Sequence, residues 1–232
     1  MIDAVLIPVQ RRALERPAAW LAGRGVRADT ITLAGFGLGL LAVPALAAQL
    51  WAVALALILA NRLCDGLDGA VARRVGPTDR GAFLDIALDF VFYALVPLGF
   101  ALADPAVNAL PAAALIAAFV GTGSSFLAFA AVAAKHGRAA PAYPTKGIYY
   151  LGGLTEGVET IAFFVAICLF PALFPLLATI FAAACALTTV LRWRQGWIAF
   201  GAKPAPPRRR AAQGRPPPRG RATDVSLGDA GH

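Results

Sequence analysis

Six apolar stretches, near residues 31–50, 51–75, 82–103, 109–134, 148–171 and 174–200, dominate the chain. Each is long enough to predict a membrane-spanning helix, since about 20 apolar residues cross the hydrocarbon. The first two run together through "ALAAQLW" at 45–51, where only Gln49 offers a break. They are divided because a single apolar run over 31–75 exceeds any ordinary span. Composition agrees: 59% of residues are hydrophobic and 15% charged, with a mean hydropathy of +0.67. Soluble domains hold roughly 45–50% apolar residues, which excludes that class. The expected fold is all-α and integral to the membrane, with six transmembrane helices preceded by an N-terminal amphipathic surface helix.

Charge placement orients the spans, because Lys and Arg gather on the cytoplasmic side. Arg11 to Arg27 precede span 1, Arg73, Arg74 and Arg80 join spans 2 and 3, and Lys135, Arg138 and Lys146 join spans 4 and 5. The connections near 48–51, 104–108 and 170–174 hold no Lys or Arg. Both termini are therefore expected in the cytosol. Residues 1–23 place Ile2, Val5, Leu6 and Val9 at helical spacing beside a basic cluster, as in a helix lying on a membrane surface. The alternative is an irregular cytosolic arm. The stretch "AVLIPV" is too short for a cleavable signal, so the N terminus is expected to persist.

Three regions follow: a juxtamembrane helix over 1–23, a six-span domain over 24–201, and a tail over 202–232. The tail is rich in Pro, Gly and Arg and too poor in apolar residues to form a core, so it is expected to be disordered. It contributes much of the formal +8 charge and the pI near 10.1. On a multi-span protein this charge points to anionic lipid headgroups and not to nucleic acid. Cys64, Cys168 and Cys185 are scattered through apolar segments and read as small buried hydrophobes.

Polar chemistry concentrates in "CDGLDGAVARRVGPTDRGAFLDIALDF", which carries Asp65, Asp68, Asp85 and Asp89. On helices, Asp65 and Asp68 share one face and Asp85 and Asp89 share another. The short link over 74–80 predicts that spans 2 and 3 are antiparallel neighbours, with the two pairs facing across a groove. Four carboxylates together repel one another, and near a bilayer centre each costs about 2.5–3.5 kcal/mol. Hard divalent cations such as Mg²⁺ and Mn²⁺ would compensate, and they share oxygen ligands readily with phosphate. A salt-bridged network with Arg62, Arg73 and Arg74 is the alternative. Gly69, Ala72 and Gly81 strip the adjoining faces, which favours close approach of a bulky ligand, with Arg73 placed to hold a phosphate.

Eight positions, Asp65, Asp68, Gly69, Ala72, Arg73, Gly81, Asp85 and Asp89, match in identity and spacing the signature of the CDP-alcohol phosphatidyltransferases. The resemblance covers about residues 20–200 and excludes the tail. It implies attack by an alcohol hydroxyl on the β-phosphorus of a CDP-linked lipid, usually CDP-diacylglycerol, with release of CMP. By that resemblance Asp65, Asp68 and Asp85 are ligands of two divalent cations, Mg²⁺ or Mn²⁺. Asp89 completes the second metal site and serves as general base, while Gly69, Ala72, Arg73 and Gly81 shape the nucleotide pocket together with Asp65. Upstream, "RADTITLAG" at 27–35 resembles the family's opening of span 1, where Pro-Asn-x-x-Thr is common. Thr32 is retained, whereas Ala28 and Asp29 replace Pro and Asn, so Asp29 is either a nucleotide contact or an N-cap for span 1.

The acceptor is sought on the cytosolic sides of spans 4 to 6. Lys135, Lys146 and Arg192 suit a phosphorylated acceptor such as glycerol 3-phosphate or inositol phosphate. Glu156 and Glu159, at helical spacing near the start of span 5, suit an amine or a polyol. The resemblance further implies a homodimer in a bacterial inner membrane. Two other classes compete. Membrane aromatic prenyltransferases also bind diphosphates through Asp-rich helices, but their motifs lie far apart, whereas Asp65 to Asp89 fall on adjacent spans. A divalent-cation transporter would place its carboxylates nearer the midplane and would not need Gly69, Ala72 and Arg73 beside them.

Overall fold

The computed structural model describes residues 3–135, 155 and 157–201, with residues 3–11 described by backbone alone. Among the described residues the chain forms α1 (Asp3–Gly23), α2 (Ala28–Ala47), α3 (Trp51–Val75), α4 (Asp79–Ala103), α5 (Pro105–Lys135), α6 (Gly157–Leu169), a 3₁₀ turn (Pro171–Leu173) and α7 (Phe174–Gly201), with no strand. Among the described residues, four segments are long and apolar enough to cross a membrane: α2, α4, α5 and Pro171–Gly201.

The expected count of six spans is not reproduced by length and hydropathy. Helix α3 matches the expected second span but carries Arg62, Asp65, Asp68, Arg73 and Arg74, which depress its hydropathy. Helix α6 has 13 residues. That gives about 20 Å of rise against about 30 Å of hydrocarbon, and much of the expected fifth span lies before it, outside the described residues. The N-terminal segment is helical, and Leu14 and Ala18 in its second half pack with Ile31, Ala70 and Val71 of α2 and α3. Its expected apolar face of Ile2, Val5, Leu6 and Val9 lies outside the described side chains. Large apolar side chains such as Leu110 and Trp197, 81% and 85% exposed, cover the outer surface as expected of lipid-facing helices.

The break between the first two apolar runs falls at Gln49, whose φ is +58°. The Leu50 amide donates to the Ala45 carbonyl at 2.8 Å and the Gln49 amide to Leu46 at 2.9 Å. These are the two bonds of a Schellman helix end, built with Gln where Gly is usual. The Gln49 side chain then donates to the Ala103 carbonyl at 3.1 Å, tying this turn to the end of α4. At the other side of the molecule, Gly76 with φ +102° ends α3. Thr78 caps α4 by accepting from the Gly81 amide at 3.0 Å.

The two aspartate pairs face each other across a groove between α3 and α4, as expected. Helices α3 and α4 are not packed mainly on each other; each packs on α2. Glycines on α2 explain this. A Cβ on Gly35 would lie 2.6 Å from Cys64 Cβ of α3, and one on Gly39 would lie 2.6 Å from the Phe92 ring of α4. Two bare positions one helical turn apart let α2 seat both neighbours, and the polar groups meet in the gap that remains between α3 and α4. The apolar core continues through buried Phe92, Phe100, Phe164 and Phe174, with Phe100 stacked on Phe174 at 4.4 Å between centroids.

The close fit makes a stability prediction. Gly39→Ala forces Phe92 to move, and overpacking of this kind costs about 1–3 kcal/mol. Thermal unfolding in detergent should show a clear fall in Tm for Gly39→Ala and little change for Gly37→Ala, whose Cβ meets nothing within 4 Å. Equal midpoints for the two variants would contradict this account of α2.

Candidate active site

Asp65 and Asp68 stand one turn apart on α3, and Asp85 and Asp89 one turn apart on α4. Helical spacing gives each pair a common face, and α2 holds the two helices so that those faces meet. Carboxylate oxygens of Asp65, Asp68 and Asp85 all lie within 4.8 Å of one another. All four aspartates line one pocket, together with Thr32, Gly35 and Phe36 of α2 and Asn61, Arg62 and Leu88. Asp68 is the most enclosed, at 5% exposure, and the Thr32 hydroxyl donates to its Oδ2 at 2.5 Å. Thr32 therefore belongs to the site through a direct bond to a carboxylate.

Arg62 supplies the cationic compensation that the sequence left open among three arginines. Its Nη2 donates to Asp89 Oδ1 at 2.7 Å, and its Nη1 lies 3.9 Å from Asp65 Oδ2. Arg74 turns away to Glu15 of α1 at 3.4 Å. Arg73 is exposed and lies over Gly69, where an added Cβ would come 3.3 Å from its Nη1. Of the salt-bridge alternative, Arg62 pairs with Asp89 and Asp65 inside the pocket, whereas Arg74 pairs with Glu15 outside it.

Asp29 is not an N-cap. Arg27 occupies the N-cap position of α2 without a side-chain capping bond, and Asp29 sits inside the first turn. Its carboxylate pairs with Arg27 at 3.3 Å and, more closely, with Arg80 of α4. An added Cβ at Gly81 would meet Asp29 Oδ1 at 3.2 Å and Thr78 Oγ1 at 3.1 Å. Gly81 thus lets the start of α4 approach the start of α2. Asp29, Gly69, Ala72, Arg73 and Gly81 lie outside the lining of the carboxylate pocket, on the turns that adjoin it.

Among the described residues, the acceptor candidates Lys135, Glu159 and Arg192 do not line that pocket. Lys135 ends α5 and is exposed, and Glu159 is half-buried in the first turn of α6. Arg192 of α7 is 9% exposed and donates to the Thr122 carbonyl at 3.0 Å, with its guanidinium 5.7 Å from the Phe126 ring. Lys146 and Glu156 lie outside the described residues, as do the connection over 136–154 and the basic tail.

Asn61, Tyr93 and Gly35 join the site without having been singled out by sequence. The Asn61 amide donates to the Gly35 carbonyl at 2.8 Å and its Oδ1 accepts from Arg62 Nε at 2.7 Å. The available signal was "ANRLCD", where Asn and Arg interrupt an apolar run one turn before Asp65. Polar groups at such depth are retained only when they are paired.

Three carboxylate groups converging from two helices form an oxygen-only donor set that fits a hard divalent cation. Asp65, Asp68 and Asp85 are the residues that would hold it.

Comparison with known proteins agrees with this site. Residues 26–191 match the CDP-alcohol phosphatidyltransferase family. Inner membrane protein YnjF of Escherichia coli is 54% identical over 198 residues, covering 85% of this chain and 96% of that protein. In fold, the chain resembles the Mycobacterium tuberculosis phosphatidylinositol phosphate synthase PgsA1. The crystal structure of that protein with manganese and citrate gives a TM-score of 0.63 at 21% identity, covering 79% of this chain and 88% of the other. The crystal structure with CDP-DAG bound gives 0.59 at 21% identity, covering 80% and 94%. On the extent of the family match and the near full-length relative, the chain belongs to the CDP-alcohol phosphatidyltransferase family.

Proposed function

We propose that the protein transfers a phosphatidyl group from CDP-diacylglycerol to an alcohol acceptor and releases CMP. The observation that carries this reading is the convergence of Asp65, Asp68 and Asp85 within 4.8 Å, in a pocket that also holds Asp89. The CDP-DAG complex of PgsA1 supports the choice of donor.

In this reading the acceptor hydroxyl oxygen forms a bond to the β-phosphorus, its proton passes to Asp89, and the bond to the CMP oxygen breaks. Two divalent cations, Mg²⁺ or Mn²⁺, would neutralise the diphosphate and the charge arriving on CMP. Asp65, Asp68 and Asp85 would ligate the cations, with Asp89 completing the second site. Thr32 orients the Asp68 carboxylate through its short hydrogen bond. Gly69 and Ala72 leave room for the nucleotide, Arg73 offers a fork to a phosphate, and Asp29, fixed by Arg80, joins Gly81 at the nucleotide's edge. The protein works as a multi-pass homodimer of a bacterial inner membrane with both termini in the cytosol, an orientation supported by the one-sided Lys and Arg.

Acceptor contacts are assigned among Lys135, Lys146, Glu156, Glu159 and Arg192. The test is a panel of glycerol 3-phosphate, inositol phosphate, inositol, serine, choline and glycerol, each offered with CDP-diacylglycerol and Mn²⁺, with the lipid product weighed by mass spectrometry. One acceptor should yield a new phosphodiester. A phosphorylated acceptor would implicate the cations, and an amine or polyol the glutamates. Purified protein that does not bind CDP-diacylglycerol would overturn the proposal.

A further inference from the structure

Arg62 rises from the middle of α3 one turn before Asp65, with its side chain only 6% exposed. Each of its three guanidinium nitrogens donates a hydrogen bond. Nε donates to Asn61 Oδ1 at 2.7 Å, Nη1 to the Tyr93 hydroxyl at 3.2 Å and Nη2 to Asp89 Oδ1 at 2.7 Å. Its plane lies near two rings, 4.6 Å from the Phe92 centroid and 5.1 Å from that of Tyr93. Asn61 is itself anchored on the Gly35 carbonyl at 2.8 Å. A chain of fixed groups therefore runs from the backbone of α2, through Asn61 and Arg62 of α3, to Asp89 of α4.

This arrangement does more than offset charge. A flexible surface cation would neutralise four carboxylates equally well, without a buried fork held at three points. The fork makes the cluster asymmetric: Asp89 and one side of Asp65 face a permanent positive charge, whereas Asp65, Asp68 and Asp85 face one another across the cation-binding side. A rigid guanidinium also restricts the carboxylate it grips, which a lysine cannot do to the same degree.

We propose that Arg62 is the positioning residue for Asp89 and the fixed cation of the site. It holds the Asp89 carboxylate in one orientation within the pocket, and its charge limits how tightly the neighbouring aspartates retain a divalent ion, favouring turnover over permanent occupancy. The positioning role rests on the transferase reading above, while the effect on ion affinity does not.

The test compares full-length wild type, Arg62→Met, Arg62→Lys and Tyr93→Phe in detergent. Mn²⁺ affinity is read by electron paramagnetic resonance, and kcat and KM by CMP release. Removing a unit charge beside the cluster should tighten Mn²⁺ binding in Arg62→Met by about tenfold. Loss of the fixed orientation should lower its kcat by about 100-fold with KM for CDP-diacylglycerol within about threefold of wild type. Arg62→Lys should return Mn²⁺ affinity to the wild-type value but recover kcat only in part. Tyr93→Phe, which keeps the ring and removes one acceptor of the fork, should lower kcat severalfold with KM unchanged. Wild-type kcat in Arg62→Met, or a parallel loss of kcat and rise in KM at wild-type Mn²⁺ affinity, would overturn the proposal. If Arg62→Met does not fold, wild-type kcat in both Arg62→Lys and Tyr93→Phe would overturn it equally. Absence of CMP release by wild type would defeat the transferase reading and the positioning role with it, and the Mn²⁺ affinities would then decide the fixed-cation role alone.

Discussion

Asp89→Asn lowers the rate of CMP release by about a thousandfold or more, the upper range for loss of a general base, while CDP-diacylglycerol binding stays within about threefold. An amide has nearly the shape of the carboxylate and can still accept the bond from Arg62 Nη2, now 2.7 Å from Asp89 Oδ1. It cannot take a proton from the attacking hydroxyl. The variant therefore separates shape from basicity at one atom. Rates of CMP release and equilibrium binding of the CDP-lipid should be measured on the same preparation, with Tm as the control for folding. Equal losses of binding and turnover would remove Asp89 from the role of base.

The second large effect is on metal affinity. Asp68 is buried, is bonded by Thr32 at 2.5 Å, and contributes one of the three converging carboxylates. Changes in groups that merely orient metal ligands typically cost 10–100-fold in affinity, so loss of a ligand in Asp68→Asn should weaken Mn²⁺ binding by at least about 100-fold. Thr32→Val, which removes only the orienting bond, should weaken it by about tenfold. Turnover in both variants should recover in part at high Mn²⁺. A Mn²⁺ titration unchanged by Asp68→Asn would take Asp68 out of the metal site.

The legible part of this protein is the part written in local periodicity. The range 51–75, read from hydropathy and the Gln49 break, coincides with α3, and the spacing of four aspartates anticipated that one pocket would hold them all. Tertiary choices were less accessible. Sequence groups Arg62, Arg73 and Arg74 in one alternative salt-bridged network, and the rotation of α3 turns Arg62 inward while Arg74 reaches Glu15. The short link from α3 to α4 suggested that the two aspartate pairs face across a groove, as they do, but gave no sign that Gly35 and Gly39 make α2 the helix on which both pack. Asp29 looked like a capping residue because it opens an apolar run, but the helix begins two residues earlier and frees its carboxylate for Arg80. Hydropathy does not confirm the second span because α3 is charged, and three of those charged residues, Arg62, Asp65 and Asp68, line the pocket.

The most direct measurement is CMP release by the purified protein in detergent, given CDP-diacylglycerol and an accepted alcohol, with Mn²⁺ present or removed by chelation. The account predicts release that stops on chelation, returns with added Mn²⁺ or Mg²⁺, and is severely reduced in Asp65→Asn, Asp68→Asn and Asp85→Asn. Release that persists without a divalent cation, or that survives loss of these carboxylates, would contradict it.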